Sequence, residues 1–272
     1  MTLLKVLNAD MTSPFQGFKF ECQKWYHCPD FDPGDAECSN GFYCAPIDGL
    51  HYAYRTGRRV FVAKVKGQSR IFDCMKQRYE DMMLTDELTA DQIIPMALDA
   101  EQRVGYRLAE VLFPINPLLL PKITPTSVDI DLLEQWQSAL QNVAPSMGLS
   151  VWESMVASVG YSVGASVWDS VEDSVGYSVV TSVVASVQGR VQASVQGKVQ
   201  DRVQDSVWGS MGTYIGSLFL RVASWNYIDH NPGVYPFQAG ADLWRRGLVP
   251  SYDGRIWRLH SGAKAEIVWE NK

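Results

Sequence analysis

From Ser146 to Thr213 the chain repeats one four-residue phrase, Ser-Val-x-x, seventeen times without an insertion. Fourteen first positions are Ser, the others being Arg190, Lys198 and Arg202. The second positions, continued to Ile215, are Val apart from Met147, Met155, Met211 and Ile215. This array constrains the fold more than any other feature. One apolar residue in every four has to leave water, and only the stacking of neighbouring repeats can bury it.

In an α-helix each residue turns about 100°, so a Val at every fourth position drifts by about 40° per repeat and no straight partner can follow it. Ser, Val, Gly and Trp are also mediocre or poor helix formers. An extended chain sorts the four positions differently, with Ser and the third residue outward, Val inward and the small fourth residue at a bend. A longer period points the same way: SVWESMVASVGYSVGA, residues 150–165, aligns with SVWDSVEDSVGYSVVT, residues 166–181, at a spacing of sixteen. Four tetrads make one turn of a four-sided β-solenoid, which is the expected fold of the array. A helical array is the alternative, in which Ser-x-x-x-Ser rows let helices approach closely. In the solenoid Trp152 stacks above Trp168 and Tyr161 above Tyr177 at about 4.8 Å. These four aromatics, with Arg190, Lys198 and Arg202 of the Gln-rich second half, are the candidate partner-binding residues.

The flanks place the whole chain in the α+β class. KVLNA (5–9), GFKFEC (17–22) and VFVAKVKG (60–67) are expected strands, the last stopping at Gly67. Helical spacing then takes over in 72–84 and in 89–113, where Thr89 is the cap and Ile94, Leu98, Val104, Leu108 and Leu112 share a face. Pro114, Pro117, Pro121 and Pro125 form an extended connector, because each fixes its own φ and moves its predecessor out of the helical region. A short helix capped by Ser127 follows. Beyond the array, AGADLWRR reads as a helix, and IWRLH with AEIVWE as a hairpin. The expected organisation is an N-terminal α+β domain (1–113), a Pro-rich connector with a short helix (114–145), the repeat array (146–216) and a C-terminal α+β module (217–272) that caps the open end of the array.

Of the 272 residues 46% are apolar and 20% charged, with a net charge of −6, which leaves no general basic face for nucleic acid or anionic membrane. MTLLKVLNADMTSP lacks the pattern of a secretory signal, and Glu153, Asp169, Glu172 and Asp173 interrupt the most apolar stretch. A cytoplasmic location is expected. Cys22, Cys28, Cys38 and Cys44 are spaced x5, x9, x5, unlike the close Cys-x2-Cys pairs of structural zinc sites, so buried reduced thiols are expected ahead of a metal. His230, His260, Asp229, Asp242 and Asp253 match no ligand or acid–base spacing.

The segment SNGFYCAPIDGLHYAYRTGRRVFVAKVKG, residues 39–67, resembles the middle of the ADP-ribosyltransferase core of the poly-ADP-ribose polymerase type. Gly41, Phe42, Tyr43, Cys44 and Ala45 match that family's Gly-x-Gly-Ile-Tyr-Phe-Ala phrase, Tyr52 or Tyr54 its later Tyr, and Val60 to Gly67 its strand. The resemblance implies NAD as cofactor, with Tyr43, Tyr52 and Tyr54 against the nicotinamide ring. The family's His-Gly pair and its Glu have no counterpart here. The layout of an N-terminal domain followed by Ser-Val tetrads also resembles phage and prophage proteins, which would place the chain in a bacterial host's cytoplasm. No complete catalytic set is present. The expected function is therefore a non-enzymatic interaction or assembly protein without cofactor, acting on a protein partner or on further copies of itself, with the NAD-dependent transferase as the alternative.

Overall fold

The computed structural model describes residues 2–72, 75–140, 147–188 and 196–271. The chain divides into two compact units, Met1–Phe113 and Pro114–Lys272.

In the first unit β1 (Leu3–Leu7), β2 (Trp25–His27), β3 (Phe42–Cys44), β4 (Arg59–Ile71) and β5 (Gln77–Leu88) form one antiparallel sheet in the order β1-β4-β5-β2, with β3 also on β5. Just past β3, Ala45 exchanges two backbone hydrogen bonds with Leu4, so the chain after β3 returns to the free edge of β1. β4 runs on past Gly67, where the expected strand stops. A bulge between Lys66 and Ser69 absorbs the irregularity, with Gly67 at φ +76°. The helix expected over 72–84 is overturned: residues 77–84 lie in β5, because β4 on one edge and β3 and β2 on the other satisfy its backbone groups. The expected strand at 17–22 is only a pair of single bridges, Thr12 with Lys19 and Cys22 with Leu84.

α1 (Ala90–Val104) starts at Thr89, whose N–H donates to the Gln92 side chain. Its buried face is Ile93, Ala97 and Ala100, one residue round from the expected face, while Leu98 lies in water. The small Ala side chains let the helix sit close to its neighbours, among them α2 (Leu108–Leu112) and a 3₁₀ turn over Ile47–Tyr52.

The second unit contains α3 (Ser127–Leu140), α4 (Met147–Val159), α5 (Tyr161–Val171), α6 (Tyr177–Gln188), α7 (Gln196–Gly216), α8 (Gln238–Arg245) and a three-stranded antiparallel sheet of β6 (Val249–Tyr252), β7 (Trp257–Ser261) and β8 (Glu266–Glu270). The array is helical, and the expected β-solenoid is overturned: no described residue of 147–188 or 196–216 is in a strand. α7 is the central element, packed by α4, α5, α6, α8 and β6.

The helices keep the Val positions inward in spite of the four-residue period. From Val151 to Val187 and from Val199 to Ile215, every described second position is buried or half-buried. The 40° drift is met in two ways. First, the helices are short: Gly160, at φ +91°, ends α4 after 13 residues and starts a new phase in α5. Second, residues Glu172–Gly176 form a π turn between α5 and α6. Drift in an α-helix moves the core-facing position backwards through the tetrad, and in α5 the buried pairs are first and second positions, Ser166 with Val167 and Ser170 with Val171. A π turn closes i→i+5 and adds a residue, which advances the face by one position. Beyond it the buried pairs are second and third positions: Val175 with Gly176, Val179 with Val180, and Val183 with Val184.

The Ser and Gly of the tetrads supply close approach. Ser154, Ser166, Ser170, Ser206 and Ser210 are buried. The buried hydroxyls of Ser206 and Thr213 turn back onto their own helix, to the Val203 and Ser210 carbonyls. Residues 217–272 do not cap a solenoid end, since a helical bundle has no open strand edge there. Instead α8 packs on α3 and α7, and β6 lies along α7, around Leu133, Trp136, Leu243, Leu248 and Leu259. The expected hairpin is β7–β8.

Candidate functional site

The π turn gathers the chemistry-bearing side chains of the array. Glu172, its first residue, stands one α turn after Trp168 and accepts a hydrogen bond from the indole Nε1 at 2.8 Å. Tyr177 follows five residues later, the i→i+5 spacing of the π turn, and its hydroxyl is also hydrogen-bonded to Glu172, which raises the phenol's pKa above its ordinary value. The Tyr177 ring stands edge-on against Trp208 of α7, with centroids 5.6 Å apart. One carboxylate therefore ties together two aromatic residues on either side of the turn, with a third aromatic at the base.

Trp168 meets Trp152 of α4, ring centroids 4.8 Å apart. The spacing equals that expected for a solenoid ladder, but the rings cross at 75° between two helices and do not stack face to face. Tyr161 and Tyr177 do not pair. Each stands at a fourth position and points outward, 71% and 61% exposed. Fourth positions are the outer face of α4 to α6: Glu153, Ala157, Asp169, Asp173, Thr181 and Ala185 are exposed as well. Of the third positions, expected outside, Trp152, Trp168 and Trp208 are half-buried and Gly164, Gly176, Val180, Val184 and Gly212 are buried, while Gly160 is exposed. Lys198 and Arg202 are exposed on the first turns of α7, and Arg190 lies outside the described residues.

In the first unit the three tyrosines of the transferase resemblance occupy different settings. Tyr43, on β3, is half-buried. Its hydroxyl accepts from the Ser39 N–H and from Arg78 Nη1 and donates to the Ser39 carbonyl. Arg78 is fully buried and also donates to the carbonyls of Gly34 and Ala36, so the two residues hold the loop before β3. A Cβ on Gly41 would lie 2.5 Å from Arg78 Cγ, which explains the glycine. Tyr52 lies against the His51 ring, and Tyr54 is buried against Phe113.

Of the cysteines, Cys22 and Cys38 are exposed, Cys28 is half-buried and Cys44 is buried, all as free thiols. Burial pushes the Cys44 thiol up to about 12. Among the described residues no group of three or more His, Cys, Asp or Glu side chains could hold a metal ion.

Other buried polar groups carry no sequence motif. His51 sits with a ring nitrogen 3.1 Å from the Tyr106 hydroxyl, and burial lowers its pKa to about 4. His260 of β7 is fully buried, with Nε2 2.7 Å from Ser251 Oγ and Nδ1 3.0 Å from the Ala265 carbonyl oxygen. A serine and a histidine at this distance resemble a nucleophile–base pair, but both are fully buried beneath the sheet, and they serve to join β6 to β7. Asp129 caps α3 by accepting from the Thr126 N–H and pairs with Arg246 after α8. Its side chain reads in sequence as one more charge on a helix.

No helix among the described residues is long and apolar enough to cross a membrane. A family model described as a domain of unknown function (DUF7666) matches residues 1–96, which take in the first unit's sheet and the first turns of α1. No curated protein and no solved structure matches the chain.

Proposed function

We propose that the chain is a non-enzymatic interaction or assembly protein, and that the aromatic and acidic surface around the π turn is its contact site for a protein partner. The observation that carries this reading is the exposure of Tyr177, tied to Glu172 and backed by Trp168 and Trp208, with Tyr161 on the same outward set of positions. Large aromatic rings left in water on otherwise well-buried helices are the side chains that interfaces use as anchors. π turns recur at functional positions because they cost regular hydrogen bonding and persist where something is gained. Exposed Glu153, Asp169 and Asp173 beside the rings favour a partner with a basic face.

The test compares the full chain with a Tyr161→Ser, Tyr177→Ser double variant in quantitative partner capture and in self-association by light scattering. The reading expects one of these to be lost in the variant while thermal stability is kept. Unchanged capture and unchanged association would contradict it.

The second reading is an ADP-ribosyltransferase-like first unit. It is favoured by the resemblant segment forming a strand, a 3₁₀ turn and a second strand of one sheet. It predicts NAD binding that is lost on Tyr43→Ala or Tyr52→Ala; absence of NAD binding by the full chain would remove it.

A further inference from the structure

Lys5 stands in the middle of β1, in the row Leu3, Lys5, Leu7 that faces the core of the first unit. Its partner in β4 is Phe61. On the other side, the antiparallel bridge between Leu4 and Ala45 puts Cys44 directly opposite it, and Cys44 in turn is paired with Gln77 of β5. The row Phe61, Lys5, Cys44, Gln77 thus crosses four strands with an amine, a thiol and an amide where the pattern calls for apolar side chains. Lys5 is 6% exposed, Gln77 3% and Cys44 5%. The Lys5 ammonium lies 5.4 Å from the centre of the Phe20 ring. Among the described residues the groups that act on it electrostatically are the Cys44 thiol and the like charge of Lys76, with no carboxylate. Tyr79, at the far end of the row, bonds Gln77 with its hydroxyl.

A buried amine with an aromatic wall is poorly solvated as an ammonium, and desolvation lowers its pKa to about 8. Lysines in such settings are the ones that act as nucleophiles toward carbonyl groups.

We propose that Lys5 is a covalent-binding site for small aldehydes, with Cys44 and Gln77 of the row and the Phe20 ring as its wall. The lone pair of the neutral Nζ attacks the carbonyl carbon, and the carbonyl π pair moves to oxygen. A proton passes from nitrogen to oxygen to give a carbinolamine, and loss of one water leaves the imine. The amine's burial restricts the site to small carbonyl compounds. This inference concerns the first unit and is independent of the contact surface proposed for the array.

The test treats the full chain with a low dose of acetaldehyde at pH 7 in the presence of cyanoborohydride, whose hydride fixes any imine as a secondary amine, and reads each lysine by peptide mass spectrometry. A pKa of about 8 in place of 10.5 raises the neutral fraction by about 300-fold at this pH, so Lys5 is modified well ahead of exposed Lys64 and Lys66. The preference vanishes in urea, where the row is dissolved. In Lys5→Arg, which keeps the charge, uptake at low dose falls to that of the exposed lysines. Modification of Lys5 at or below the rate of Lys64 in the folded chain, or a preference that survives in urea, would overturn the proposal.

Discussion

Trp168 of α5 lies over Gly212 of α7: a Cβ built on that glycine would stand 3.1 Å from Trp168 Cζ3 and 2.8 Å from Val151 Cγ1. The reverse contact occurs one step along the seam, where Trp208 of α7 lies over Gly176 of the π turn, and a Cβ there would be 3.0 Å from Trp208 Cζ3 and 2.8 Å from Met211 Sδ. Each helix offers an indole to the other's glycine. Trp168, Gly176, Trp208 and Gly212 are all third positions, and across this seam they pair the largest residue with the smallest.

Gly212→Ala and Gly176→Ala are therefore expected to destabilise the second unit by about 1–3 kcal/mol each, as overpacking of a filled core does. Gly197→Ala, in the same array with open space around it, gains helix propensity and is expected to be neutral or stabilising. Chemical denaturation of the three variants checks the contrast, and equal effects at all three sites would rule the seam out.

Inserting an alanine after Asp173 gives the turn a second extra residue and, with the helix closed, turns everything from Val175 onward by about 100°. The second-and-third-position pairs then leave the core, and a loss of about 3 kcal/mol or more is expected from exposing several Val side chains. An Asp173→Ala substitution, exposed and inside the same turn, is expected to cost under about 0.5 kcal/mol. Thermal unfolding of the pair separates the effect of phase from that of the side chain.

His51 is neutral in the folded chain down to about pH 4, while in the unfolded chain it takes up a proton near its ordinary value of 6.5. Between these values the unfolded state binds more protons, so stability falls as pH drops from about 6.5 to 4, by about 3 kcal/mol at most. His51→Gln is expected to flatten that window, read as the pH dependence of the urea midpoint of the first unit.

Lys5 gives a trend of the same sign at alkaline pH. With its folded pKa at about 8 and its unfolded value at 10.5, the unfolded state holds the extra proton between them, so stability rises with pH across that window. Lys5→Met should stabilise the first unit at pH 7 by about 3 kcal/mol at most, with the gain shrinking above pH 8. Denaturant titrations at pH 7 and pH 10 would show the convergence; a gain independent of pH would mean that the charge is not the cause.

The α+β class was readable from the flanks, and the inward Val positions from the repeat itself, since every fourth residue there is apolar whichever element carries it. The choice of element was not. A strict period of four drifts round an α-helix, and the four-sided solenoid answers it geometrically. α4 to α6 answer it by stopping at Gly160 and by adding a residue at Glu172–Gly176, α7 by being packed on several sides, and nothing in the two tetrads SVEDSVGY marks an i→i+5 turn. The sixteen-residue match is real as sequence, but its aromatic partners Trp152 and Trp168 meet edge to face between helices. At the candidate sites, Tyr161 and Tyr177 were visible as bulky exceptions among small fourth positions. Lys5 was not, because a lone lysine in LLKVL reads as an outward residue until β1 is seen covered on both faces. Cys44 and Gln77 gain their meaning only from the pairing of β3 with β1 and β5.

The most direct test of the account is the backbone Cα chemical shifts of the full chain across Val151–Val187 and Gly197–Ile215. Continuous helical shifts are predicted, interrupted at Gly160, with amide contacts at i→i+5 spacing only over Glu172–Tyr177. Strand shifts recurring every four residues would contradict it, and would restore the solenoid in place of the helices.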